Sequence, residues 1–123
     1  MIHGYIDEIG TPLIDVTVEG TRSKITLPAL IDTGFDGDLS LPIDIAVELG
    51  LELVTSIPLE FADGTITEDA LVFAGLANLN EGKPRNVEIL LTSGDHALIG
   101  RNWFVNGSLK IDYKKGIVTI NET

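Results

Sequence analysis

Residues 29–42 read Ala29-Leu30-Ile31-Asp32-Thr33-Gly34-Phe35-Asp36-Gly37-Asp38-Leu39-Ser40-Leu41-Pro42. An apolar β-type run ends on an aspartate, and the aspartate opens a tight glycine turn. The carboxylate thus leaves a buried strand at a site of low dielectric, with backbone N–H groups close by. Taken alone, Asp32-Thr33-Gly34 is an ordinary turn in which the Asp side chain bonds its own backbone. What adds weight is an echo. Ala29-Leu30-Ile31-Asp32 returns as Ala97-Leu98-Ile99-Gly100, and each copy ends a β run that a short helix follows. Four residues do not prove a duplication, but they suggest two similar halves with Asp32 and Gly100 in equivalent positions.

Around these segments the chain is a series of short β-type runs cut by Gly, Pro and Asn. Ile2 to Ile9, Leu13 to Val18, Ile25 to Asp32, Leu51 to Phe61, Ile66 to Leu79, Val87 to Leu91, Leu109 to Tyr113 and Ile117 to Ile120 read as strands. Asp63-Gly64 is a hairpin signal, because Gly tolerates φ > 0, and Lys114-Lys115-Gly116 is a second such break. Pro42 to Leu49 reads as a helix, with Pro in its first turn and Gly50 at its C-terminal end. A one-turn helix is expected after Gly100, stopping at Asn106-Gly107. Many short strands and one or two short helices predict an all-β, mainly antiparallel fold, closed or sandwiched.

The 123 residues are one domain's worth of chain, read here as a single domain over 1–123. Lys and Arg number 8 against 19 Asp and Glu, a net charge of −11. That balance argues against a nucleic-acid binder and against a polybasic membrane anchor. With no cysteine, thiol catalysis, Cys-ligated metals and disulfides are excluded. No apolar run has the length of a membrane span, and residues 1–8 do not resemble a signal peptide. A cytoplasmic location is expected. The mean hydropathy of +0.26 is high for so charged a chain, and part of that apolar content is expected in an oligomer interface.

Other chemistries fail on spacing. His3 and His96 stand alone, without ligand spacing, and read as surface or turn residues. Ser93-Gly94-Asp95-His96 holds triad letters side by side, but there is no nucleophile elbow. Asp32, Asp36 and Asp38 suggest a calcium loop, but its twelfth position is Ile43 rather than Glu. Trp103 reads as core or interface packing.

The segment 29–42 resembles the active-site loop of aspartic proteases of the retroviral (retropepsin) type, and bacterial single-lobe relatives of these look closer still. The resemblance recurs in order. A hairpin at 61–66 stands where such proteases carry their flap. Ala97-Leu98-Ile99-Gly100-Arg101-Asn102-Trp103-Phe104 looks like their second loop, and a final strand ends the chain. Proteolysis of this class needs two carboxylates sharing one proton, one as base on water and one polarising the scissile carbonyl. This chain has one such loop, and Gly100 has no side chain. The resemblance therefore implies a homodimer in which two copies of Asp32 meet at a twofold axis.

The resemblance further implies that Asp32, Thr33 and Gly34 form the catalytic loop, with the Thr33 hydroxyl bonding across the dimer. Gly34, Phe35, Asp36, Ala62, Asp63, Gly64 and Ile99 are expected to bind peptide. Asp36, Gly100 and Arg101 are expected to support the site, Asp36 and Arg101 as an ion pair. Residues 1–8 and 116–123 are expected to add strands at the dimer interface. No cofactor or metal is required. Phe35 departs from the family's small residue, and Asp63-Gly64 replaces a Gly-rich tip. Two readings stay open beside the endopeptidase: a dimeric module of this fold with weak or no proteolysis, and a monomeric β domain in which Asp32 is a turn residue.

Overall fold

A computed structural model describes residues 1–60, 62–92 and 94–122, the side chains at 59 and 66–69 excepted. Ten strands follow one another with a single α-helix. They are β1 (Ile2–Ile6), β2 (Pro12–Glu19), β3 (Lys24–Ile31), β4 (Leu39–Pro42), β5 (Glu52–Glu60), β6 (Ile66–Leu79), β7 (Arg85–Thr92), β8 (Ala97–Ile99), β9 (Ser108–Asp112) and β10 (Ile117–Asn121). The helix α1 spans Ile43–Leu49, and a 3₁₀ helix spans Arg101–Phe104.

Hydrogen bonding runs in the order β5-β6-β7-β4-β8-β3-β2-β1-β10-β9, and β6 pairs again with β2. That extra pairing closes β2, β3, β8, β4, β7 and β6 into a six-stranded barrel. Alternation in β2 explains the core. Ile14, Val16 and Val18 are buried, while Asp15 and Thr17 lie on the other face. They meet Leu39, Leu41, Ile89 and Ile99 from across the barrel.

The helix behaves as its sequence predicts. Pro42 is its N-cap, and Gly50 takes the left-handed conformation (φ 69°) that lets its N–H donate to the Val47 carbonyl. Asp63-Gly64 lies in a longer connection than a two-residue turn. Glu60 pairs with Ile66, so residues 61–65 link β5 to β6, with Gly64 at φ 86°. Phe61, the first residue of the expected hairpin, lies outside the described residues. So do Ser93 and Thr123.

The strand β4 has no counterpart among the expected runs. All four of its residues are buried. It pairs parallel with β7 and antiparallel with β8, so its partners come from distant sequence.

Residues 1–8 and 116–123, expected to add strands at the dimer interface, supply β1 and β10, which lie side by side in the sheet. β1 pairs with β10 on one edge and β2 on the other, and β10 is flanked by β1 and β9. β10 is thus paired along both edges, and β1 along one edge and at Tyr5 and Ile6 on the other.

Candidate active site

The echo noted in the sequence is a physical contact. Ala29, Leu30 and Ile31 of β3 lie parallel to, and in register with, Ala97, Leu98 and Ile99 of β8. The two copies emerge side by side, one into Asp32 and the other into Gly100. The Asp32 N–H donates to the Ile99 carbonyl (3.0 Å), extending the pairing to the carboxylate itself. Its Oδ1 accepts the Gly34 N–H (3.0 Å), and its carbonyl accepts the Phe35 N–H (3.1 Å). This is the Asx turn expected of Asp-Thr-Gly, and it orients a half-buried carboxylate beside exposed Thr33 and Gly34.

The loop is then clamped against the second half of the chain. Gly100 N–H donates to the Asp38 carbonyl (3.0 Å) and Arg101 N–H to the Phe35 carbonyl (2.8 Å). The approach is so close that a Cβ at position 100 would overlap the Gly37 carbonyl and lie 2.8 Å from the Phe35 carbonyl oxygen. Gly100 is thus where two backbones touch.

The expected ion pair between Asp36 and Arg101 is corrected. Both side chains are exposed, and among the described residues the ion pairs are His3–Glu81 and Arg85–Asp38. Arg101 supports the loop through its backbone N–H alone. The charged brace is made by Asp38 and Arg85 instead. Arg85 Nη2 stands 3.9 Å from Asp38 Oδ1, and its guanidinium stacks over the Trp103 ring at 3.8 Å. Asp38 Oδ2 accepts the Glu88 N–H (2.9 Å), and Trp103 Nε1–H donates to the Asp38 carbonyl (2.7 Å). Trp103, only 3% exposed, is core packing with its one polar atom satisfied.

Beside Asp32 opens a cleft of about 390 Å³. Asp32, Gly34, Phe35 and Asp36 line it from the loop, and Leu90, Leu91 and Leu98 give it an apolar floor. Phe35 therefore both walls the cleft and lies over Gly37, where an added Cβ would meet its ring at 2.7 Å. Ile99, expected to touch peptide, is corrected: it is fully buried in the barrel core. Strand alternation turns its neighbour Leu98 to the cleft in its place. Ala62, Asp63 and Gly64 form the exposed turn of the β5–β6 connection. Among the described residues of this hairpin, Glu60 lines the cleft. In the turn, Asp63 Oδ1 accepts the Thr65 N–H (2.9 Å), and that bond holds the Asp63 carboxyl below its ordinary pKa.

Arg85 and Glu60 carry no signal in the sequence, and Asp38, Ser40 and Leu98 stand in the quoted segments without the roles they have here. The one available signal was the run Leu39-Ser40-Leu41-Pro42, whose apolar positions bracket a single hydroxyl.

Across the outer side of the sheet, paired residues continue the cleft floor. Leu90 is opposite Ser40, Ser40 opposite Leu98, Leu98 beside Leu30, Leu30 opposite Leu13, Leu13 opposite Tyr5, and Tyr5 opposite Ile117. Paired residues share a face, so an almost wholly apolar stripe runs from the cleft to the terminal strands.

No protein-family model matches the sequence, and no curated protein does. Among solved structures, the chain is similar to a retropepsin-like aspartic protease from Rickettsia conorii, at a TM-score of 0.65 and 20% identity, covering 97% of this chain and 88% of that one. With the closed barrel, the paired Ala-Leu-Ile strands and the Asp-Thr-Gly turn between them, the chain has the retropepsin-like fold.

Proposed function

We propose that the protein is an aspartic endopeptidase that works as a homodimer. The observation that carries this reading is the side-by-side exit of β3 and β8. It sets a carboxylate, Asp32, at the mouth of an apolar cleft, with Gly100 opposite it. One chain supplies half of a proton-sharing pair, and a second copy supplies the other half. Water held between the two Asp32 carboxylates loses a proton to the ionised one and adds to the peptide carbonyl carbon. The protonated Asp32 donates to the carbonyl oxygen. Collapse of the tetrahedral species breaks the C–N bond as the nitrogen takes up a proton. The β5–β6 hairpin serves as the flap, and the peptide lies extended beneath it.

The second copy is supported by the apolar stripe and by exposed side chains near the end of the sheet where Asp32 lies. Tyr5, Ile9, Tyr113 and Ile117 are exposed there, Ile9 at 88%. A face of this kind needs covering. The cysteine-free composition fits the cytoplasm.

Phe35 favours one alternative, a dimeric peptide-binding module with little proteolysis, since a bulky ring walls the cleft that Asp32 lines. Asp32→Asn separates the two. On the endopeptidase reading, cleavage of a peptide library falls by about 10²–10⁴-fold while dimerisation survives. Cleavage equal to wild type in Asp32→Asn, or none in wild type, rejects it. A strict monomer at micromolar concentration rejects both readings.

A further inference from the structure

The cleft carries charge that the chemistry at Asp32 does not use. Asp36, from the loop after β3, and Glu60, the last residue of β5, both line it, and both are exposed. Among the described residues neither enters an ion pair, and no Lys or Arg lines the cleft. Asp38 makes the contrast. Two positions beyond Asp36, it is engaged by Arg85 and by the Glu88 N–H. The structural acid is satisfied, whereas the two acids in the cleft have no such partner. Between them the floor is Leu90, Leu91 and Leu98, and it includes Ser40, the one buried polar side chain among the described residues.

A peptide in this cleft meets two demands at once. A large apolar side chain is favoured by the leucine floor and the Phe35 wall. Neighbouring side chains face two uncompensated carboxylates within a molecule of net charge −11. Lys or Arg there gains attraction, and Asp or Glu meets repulsion; both effects grow as the peptide displaces water. Repulsion of the wrong ligand contributes to selectivity as much as attraction of the right one.

We infer that the cleft selects basic peptides: a bulky apolar side chain on the leucine floor, with Lys or Arg beside it contacting Asp36 and Glu60. The inference rests on the endopeptidase reading for the cut itself, but the binding preference does not require it.

The test uses three quenched-fluorescence peptides with one Phe-Leu core, flanked by Lys, Gln or Glu. kcat/KM is measured on the full chain at low salt, and Kd by anisotropy on Asp32→Asn. Exposed charge pairs of this kind change affinity by roughly two- to fivefold each, so the Lys peptide should exceed the Glu peptide by about tenfold or more in both measurements. Glu60→Gln and Asp36→Asn should each lower that ratio several-fold, the double variant should bring it near one, and added salt should shrink it. Thermal melts check that the variants are folded. A wild-type ratio below about two, or a ratio unchanged in the double variant, overturns the inference. Charge-selective binding without cleavage rejects the endopeptidase and leaves the selectivity standing. Cleavage without charge preference does the reverse.

Discussion

Replacing Gly100 with alanine probes the contact on which the site is built. The Gly100 backbone is extended (φ −96°, ψ 174°), a conformation alanine adopts freely, so the cost is purely steric. The new Cβ meets the Gly37 and Phe35 carbonyls, and neither is the flexible end of a side chain. Both accept hydrogen bonds from the second loop, Phe35 from Arg101 (2.8 Å) and Gly37 from Asn102 (3.4 Å). To make room the two loops must part, and the Gly100 to Asp38 bond is strained with them. Overpacking costs about 1–3 kcal/mol, and weakening two hydrogen bonds adds about 2, for a total near 3–5 kcal/mol. Urea denaturation at fixed protomer concentration reads this as a midpoint lowered by roughly 1.5–3 M, for an m-value of about 1.5–2 kcal/mol/M. Gly94→Ala is the control. Its Cβ would lie 3.4 Å from Thr92 Oγ1, in exposed surroundings, and should change stability by less than about 0.5 kcal/mol. A Gly100→Ala protein within about 1 kcal/mol of wild type would refute the argument that the loops touch through backbone.

Trp103→Phe removes the indole donor to Asp38 and should cost about 1–2 kcal/mol in the same denaturation assay. Arg85→Ala, which loses a half-exposed pair and a stack, should cost about 1 kcal/mol or less; equal losses for the two would contradict the division of roles. Asp63 accepts a hydrogen bond that favours its ionised form, so its contribution to the turn is complete above the ordinary carboxylate pKa. It is lost as pH falls through the lowered one. An NMR titration of the Thr65 amide should therefore show its midpoint below about 3.9; a midpoint at or above that value contradicts the bond. The proposed chemistry needs one Asp32 carboxylate ionised and its mate protonated, so peptidase activity should peak on the acidic side of neutrality, and full activity at pH 9 would be inconsistent with the dyad. Two subunits of net charge −11 each repel, so sedimentation should show dimerisation tightening as salt is raised; tightening at low salt would exclude the charge argument.

Local signals in this chain were legible and tertiary ones were not. Pro42 and Gly50 bracketed α1 because each acts on the backbone around it. The long runs of β2, β3 and β6 were visible because alternation spans many residues. β4 was not, since four consecutive buried residues have no period and its partners lie in β7 and β8. The same limit explains the site. Asp32 and Gly100 were recognisable from the repeated Ala-Leu-Ile. Three residues do not set which side of a strand faces the cleft, so Ile99 was expected where Leu98 stands. Matching positions pointed to Asp36 and Arg101, but side-chain direction decides an ion pair, and here Arg85 over Trp103 reaches Asp38. The terminal strands were visible as strands, but their neighbours in the sheet, β2 beside β1 and β9 beside β10, come from pairings that no single run encodes.

The parallel pairing of β3 with β8 also bears on the order in which the candidate site forms. The two segments are separated by more than half the chain, and closing so long a loop between parallel strands is slow. Until residues 97–102 have arrived, the Asp32 N–H lacks its Ile99 acceptor, and Phe35 and Asp38 lack the donors of the second loop. A nascent or partly folded chain thus carries the aspartate without the frame that orients it. The orientation of Asp32 is thus a late, long-range product of folding rather than a local property of its own turn.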